Sequence, residues 1–337
     1  MLVKLVLAMI VSFAVTAIVG AVLVPHLRRI KAGQMIKENG PTWHMSKSGT
    51  PTMGGIMFIV GILAACAIIG FKSIQEGHLS HVFVFLLALA FGIVGFLDDY
   101  EKLKHKANLG LTAGVKFILQ VAVAALFVFA LRRFGYISPA LYVPFFDVTW
   151  EMPEWLYFAF AIFAIVATVN AVNLTDGVDG LATGTSIPVF LFFTVIAYVW
   201  GEEFLSTGIF AAAVVGGLLA FLIFNFNPAK VFMGDTGSLF LGGAVAGTAF
   251  ALDMPLIIVV VGILYVLEVL SDIIQVGYFK ISHGKRVFKM APFHHHLEMG
   301  GWTGKKWSEK ELFVLFTGIS LLMAIIAYFG VRGRFIV

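Results

Sequence analysis

Four short stretches of this 337-residue chain set carboxylates, amides, lysines or imidazoles close together: LDDYEK at 97–102, NAVNLTDGVDGLA at 170–182, NFNPAKVFMGDTGS at 225–238 and APFHHHLE at 291–298. A fifth, KSGTPTMGG at 47–55, contributes Lys47. Hard divalent cations take oxygen ligands, and Mg²⁺ in particular uses one or two carboxylates together with the phosphates of a substrate. An ion of that kind offsets the charge that develops in phosphoryl transfer, while Lys and His screen what remains. Gly177 and Gly180 beside Asp176 and Asp179, and Gly234 and Gly237 around Asp235, let the backbone approach a bulky polyphosphate and offer it N–H groups. The pattern suits a phosphate anhydride.

Simpler local roles compete with this reading. GDTGS also reads as a helix start with Asp235 or Thr236 as N-cap and Ser238 in the first turn, and a cap and a metal ligand can use different atoms of one side chain. The triple histidine invites a zinc site. Three consecutive helical residues point about 100° apart, however, so His294, His295 and His296 do not converge on one ion without an irregular backbone. Phosphate contact or proton transfer by one or two of them fits better, with the third packing locally. Glu268 and Asp272 share a helix face with Gln275; they are either inward and functional or simply beyond the bilayer edge, the second suiting Asp272.

The elements that must carry these groups are membrane helices. Hydrophobic residues make up 60% of the chain and charged ones 12%, and a mean hydropathy of +0.97 lies far from that of a soluble domain. A bilayer core of roughly 30 Å needs about 20 apolar helical residues. Ten runs fit that template: 3–24, 52–71, 80–97, 115–132, 155–173, 182–200, 205–224, 237–252, 255–279 and 311–331. The expected fold class is all-α, a polytopic integral membrane protein with about ten transmembrane helices in one domain over 1–337. The first run is too long for a signal-peptide core and lacks a small-residue cleavage site, so it reads as a retained helix. The outer stretch 139–153 alternates enough to form a short hairpin. Cys66 is the single cysteine, which excludes an intramolecular disulfide and a cysteine metal site.

Orientation follows from the basic residues. With this alternation of loops, 17 of the 23 Lys and Arg fall on one side, the side that also holds every polar cluster. The positive-inside rule makes that side cytoplasmic, puts both termini outside the cytoplasm and places the active site at the cytoplasmic face. The basic balance then reflects topology and anionic lipid rather than nucleic acid. Scattered outer acids such as Glu76, Asp147 and Glu203 lack flanking Gly and Asn and read as solvated. A secondary transporter would carry its ionisable groups near the midplane of broken helices, which is not the pattern here. A purely structural membrane protein would not need glycine-framed aspartates.

LDDYEK, NLTDGVDGLA, NFNPAKVFMGDTGSL and PFHHHLE, in this order and on this side, resemble the polyprenyl-phosphate N-acetylhexosamine-1-phosphate transferase superfamily. GTPTMGG and the GGW after the histidines resemble its bacterial cell-wall branch, and the likeness spans nearly the whole chain. The resemblance implies ten transmembrane helices in the bacterial cytoplasmic membrane, a homodimer, and Mg²⁺-dependent transfer of phospho-N-acetylmuramoyl-pentapeptide from its UDP-activated form to undecaprenyl phosphate, giving lipid I and UMP. It implies catalytic roles for Asp98, Asp99, Asp176, Lys116 and His294, and a metal aspartate at Asp235. Lys47, Lys102, Asn173, Asp179, Asn225, Phe232, His295 and His296 match substrate-binding positions, with Asp179 and Phe232 at the uridine. Phe293 and Leu297 depart from the usual residues around the histidines, which bears on local packing only. Two routes fit these residues: direct attack by a lipid phosphate oxygen with Asp98 as base, or a covalent phospho-sugar enzyme on an aspartate. The rival substrate is UDP-N-acetylglucosamine, and the basic loop 280–310 is the feature that separates the two.

Overall fold

A computed structural model describes residues 1–30, 47, 49–105 and 110–335. The chain runs through α1 (Leu2–Arg29), α2 (Gly55–Ile69), α3 (Phe71–Gln75), α4 (Ser80–His105), α5 (Ala113–Arg133), β1 (Ala140–Val143), β2 (Val148–Glu151), α6 (Glu154–Thr175) and α7 (Leu181–Trp200). A one-turn 3₁₀ segment, Glu202–Phe204, leads into α8 (Leu205–Asn225), followed by α9 (Gly234–Ala251), α10 (Ile257–Val261), α11 (Ile263–Ile281), α12 (Phe293–Glu298) and α13 (Glu309–Val331). Among the described residues, seven helical segments are long and apolar enough to cross a bilayer: α1, α4, α5, α6, α7, α13 and the continuous stretch Glu202–Asn225. Of the remaining expected runs, α2 is short, α9 is rich in glycine, and α11 carries Glu268, Asp272 and Lys280.

Both the interior of the bundle and much of its surface are apolar. On α1 the buried residues are Leu5, Ala8, Ser12, Thr16, Gly20, Val24 and Leu27, a single stripe at helical spacing. The rest of the helix exposes Ile10, Ile18 and Val22, as α5 exposes Ile118, Leu126 and Phe129 and α13 exposes Val314 and Leu322. Large apolar side chains facing outward on several helices require an apolar surrounding, not water. Within the bundle, α7, α8 and α9 are enclosed on most sides. The contacts there rely on absent side chains, as is usual between membrane helices. A Cβ on Gly216 would run into the carbonyl of Met9 in α1, and one on Gly95 of α4 into the carbonyl of Asp235 in α9.

The run 255–279 is not one helix. It breaks at Gly262, whose N–H closes onto Ile258 at 2.8 Å; a Cβ there would meet that same carbonyl and the Tyr265 ring. The run from 52 becomes helical only at Gly55, because the preceding residues lie extended against the α8–α9 loop: Phe232 N–H donates to Pro51 (2.8 Å) and Gly54 N–H to Phe232 (2.8 Å). The expected hairpin is present as β1 and β2, antiparallel, with Leu141 opposite Trp150. It sits at the bundle end opposite the polar clusters, tied to α13 by Phe145 N–H donating to Gly330 (2.9 Å). At that end Arg334 also pairs with Asp253 at 2.9 Å and lies over the Tyr142 ring.

Candidate active site

The polar clusters meet at one end of the bundle. Asp98 and Asp99 occupy the last turns of α4, and both are buried, although the residues around them continue an apolar helix. Asp98 pairs with Lys102, one turn on, at 2.5 Å, and accepts the N–H of Leu111 at 2.9 Å. Gly110 leaves room for this, since a Cβ there would lie 2.6 Å from the Asp98 carboxylate. Asp99 faces α9. It accepts the backbone N–H groups of Asp235 (3.2 Å) and Thr236 (2.9 Å) and the Thr236 hydroxyl (2.7 Å).

That arrangement settles how α9 begins. The helix starts at Gly234, its N-cap Met233 supplies no side-chain bond, and the two candidate local caps, Asp235 and Thr236, lie inside the helix. The orphan N–H groups are taken instead by Asp99 from another helix. The Asp235 side chain is therefore free to point into the site. Its Oδ2 receives Lys102 and Lys116, each at 2.8 Å, and its Oδ1 receives the Asn173 amide at 2.8 Å. Asn173 reaches on to the Ser238 hydroxyl at 2.7 Å. Asp98, Asp99 and Asp235 each offer an oxygen within 4.8 Å of the others, a set of hard donors of the kind a divalent cation takes.

A second polar group surrounds Asp179, at the start of α7. Lys47 bridges Asp179 (2.7 Å) and Glu309 of α13 (2.6 Å), while Asn227 and the Ala229 N–H donate to the other Asp179 oxygen. Between the two groups stands Asp176, which ends α6 and is half-buried. Burial first, then the carboxylates of Asp235, Asp99 and Asp179, push its carboxyl well above the usual carboxylate range; Lys47 opposes them weakly.

The histidines of α12 diverge, as their spacing requires. His294 is fully buried: Glu268 of α11 accepts its backbone N–H (3.2 Å) and faces its Nδ1 at 3.0 Å. His295 pairs with Glu298 at 2.6 Å. His296 sits among the rings of Phe288, Phe293 and Trp302, with its Nδ1 receiving the Lys289 N–H at 3.1 Å; burial, then the Lys289 charge, lower its basicity. Asn225 is occupied elsewhere. Its amide is buried, accepting from the Thr183 hydroxyl (2.8 Å) and donating to Val231 (3.0 Å), so it braces the α8–α9 loop on which half-buried Phe232 rides.

Asp98, Asp99, Lys102, Lys116, Asn173 and Asp235 are thus brought together, and Lys47 with Asp179 forms the neighbouring group. Asn227, inside the 225–238 stretch but not singled out there, joins that neighbouring group, as does Glu309, which no motif announced. Glu268 was visible as an acid inside an apolar helix, but its partner lies 26 residues away.

Buried carboxylates and lysines stand together at one end of an apolar helical bundle, and residues 81–253 match the family model "Glycosyl transferase family 4", which makes the protein a transferase by family. Residues 47–59 match the phospho-N-acetylmuramoyl-pentapeptide-transferase signature 1. Curated relatives of that name are 44% identical in Clostridium acetobutylicum, over 95% of this chain and 97% of the relative. Those in Halalkalibacterium halodurans and Geobacillus thermodenitrificans are 44% and 45% identical, each over 96% of this chain and 97% of the relative. The chain belongs to the phospho-N-acetylmuramoyl-pentapeptide-transferase family.

Proposed function

We propose that this protein transfers phospho-N-acetylmuramoyl-pentapeptide from its UDP-activated form to undecaprenyl phosphate, yielding lipid I and UMP, at the cytoplasmic face of a bacterial plasma membrane that it crosses ten times. The observation that carries the reading is 44% identity over nearly the full length with a relative of that name, joined to a carboxylate and lysine cluster suited to a diphosphate.

Asp98, Asp99 and Asp235 have the oxygen donors that Mg²⁺ prefers, with Lys102 and Lys116 already supplying positive charge at the same carboxylate oxygen. When bound, Mg²⁺ would offset the negative charge that builds on the diphosphate as it is cleaved. In the reaction an oxygen of undecaprenyl phosphate forms the new P–O bond to the β-phosphorus, the bond to the bridging oxygen breaks, and UMP leaves with that electron pair. Asp98 is the base for any proton the lipid phosphate still carries. Lys102 and Lys116 orient and screen the phosphates; Lys47 and Asp179 meet the nucleotide end.

The direct route is favoured over a covalent aspartyl intermediate. Asp99 already receives three donors from α9, which lowers its reactivity as a nucleophile, and a positioned lipid phosphate needs little activation. A dimer is expected from the family resemblance. The test is UMP release by purified protein with undecaprenyl phosphate and Mg²⁺. The muramoyl-pentapeptide nucleotide is expected to be used and UDP-N-acetylglucosamine scarcely; comparable use of both removes the cell-wall assignment.

A further inference from the structure

Glu268 lies on α11 with none of its surface exposed, a carboxylate in an otherwise apolar helical stretch, and the partner it meets is His294. A buried charge is costly to keep, so its retention calls for a specific partner. Here the carboxylate binds the histidine twice, once at the backbone N–H (3.2 Å) and once at Nδ1 (3.0 Å). A carboxylate facing Nδ1 accepts a proton from it, which assigns the tautomer and fixes the ring plane. The other ring nitrogen, Nε2, is buried and has no hydrogen-bond partner among the described residues. It points at Gly177, next to Asp176: a Cβ on that glycine would collide with Nε2. Glycine there lets the imidazole pack directly against the backbone beside Asp176.

We propose that Glu268 is a positioning residue for the transferase reaction: by holding the Nδ1 proton of His294 it keeps Nε2, beside Gly177 and Asp176, as the unpartnered atom that contacts the phosphates of the nucleotide substrate. This rests on the transferase reading above. Glu268 itself touches no substrate; its effect passes entirely through the imidazole.

Three measurements separate this from a role in packing. In wild-type protein labelled with ¹⁵N-histidine, at alkaline pH where the rings are neutral, the resonance missing from His294→Ala is expected to be that of an Nδ1–H tautomer. An Nε2–H tautomer overturns the proposal, and this readout is independent of whether the transferase reading holds. In turnover, Glu268→Gln is expected to lose about tenfold or more in kcat, the usual effect of removing an orienting partner, with little change in KM for undecaprenyl phosphate. The double variant Glu268→Gln/His294→Ala is expected to fall within about twofold of His294→Ala alone, because groups that act as one unit do not add. Multiplying losses, or a Glu268→Gln protein with wild-type kcat, overturns it. Wild-type protein that releases no UMP would defeat the transferase reading while leaving the tautomer result standing.

Discussion

At the scale of single residues, Asp235 is the point where the charges converge, with two lysines on one oxygen and Asn173 on the other. Asp235→Asn keeps the shape and removes the charge, and is expected to lower turnover by several orders of magnitude in protein that remains monodisperse in detergent. Activity within about tenfold of wild type would make Asp235 a structural residue. Asp176 gives the opposite balance. Its carboxyl is raised by burial and by three neighbouring carboxylates, so the folded chain holds its proton to higher pH than the unfolded chain does. Stability from this group therefore falls as pH rises above the ordinary carboxylate range. Asp176→Asn is expected to raise the thermal midpoint at neutral pH, with the gain shrinking as pH drops through that range, while activity is lost; a lowered midpoint would contradict the repulsion. Much of this site was legible from residue type and spacing, since Asp98 and Lys102 stand one helical turn apart. The Asp99 contact was not, because the N–H groups it receives lie 136 and 137 residues further along. Nor did sequence separate Asn225, a loop brace, from Asn173, which enters the site, since both are asparagines at helix ends beside glycine-containing turns.

At the scale of elements, the site depends on how closely α4 approaches α9. Gly95 faces the Asp235 carbonyl with no room for a methyl group, whereas a Cβ on Gly92, nearly one turn earlier, would lie 3.2 Å from the Phe240 side chain, a tight contact that a shift of a few tenths of an ångström relieves. Gly95→Ala is expected to force the helices apart, with a cost of about 1–3 kcal/mol from overpacking and near-complete loss of activity. Gly92→Ala needs only a small shift of a side chain and should keep activity within about tenfold, as for contacts that can relax. Equal activity in the two variants would show that the approach is slack. Helix positions were readable because apolar runs of this length have few other solutions. The break at Gly262 was not, since glycine within a membrane helix is common and only the surrounding contacts decide whether it bends the chain. The outer hairpin was readable from alternation, but its docking onto Gly330 was not.

At the scale of the whole molecule, every polar group assigned to the site lies at one end of the bundle, with the hairpin and the Arg334–Asp253 pair at the other. The proposed cytoplasmic placement of the site end rests on the basic-residue asymmetry of the sequence. A cysteine at exposed Ser138, beside the hairpin, should be labelled in intact cells by an impermeant thiol reagent, and one at exposed Lys285 should not; Cys66 is buried and gives little background. The reverse pattern would put the nucleotide site on the wrong face. The bond between Asp99 and the start of α9 also has a meaning for how the protein is made. A membrane chain emerges from the ribosome in order, and α4 is delivered well before the segment whose N–H groups it caps. Until α9 is threaded in, the Asp99 carboxylate has neither those partners nor Asp235 beside it, so the three-carboxylate cluster is complete only once α9 is in place. Chains truncated before Gly234 should be inert toward both the lipid carrier and the nucleotide.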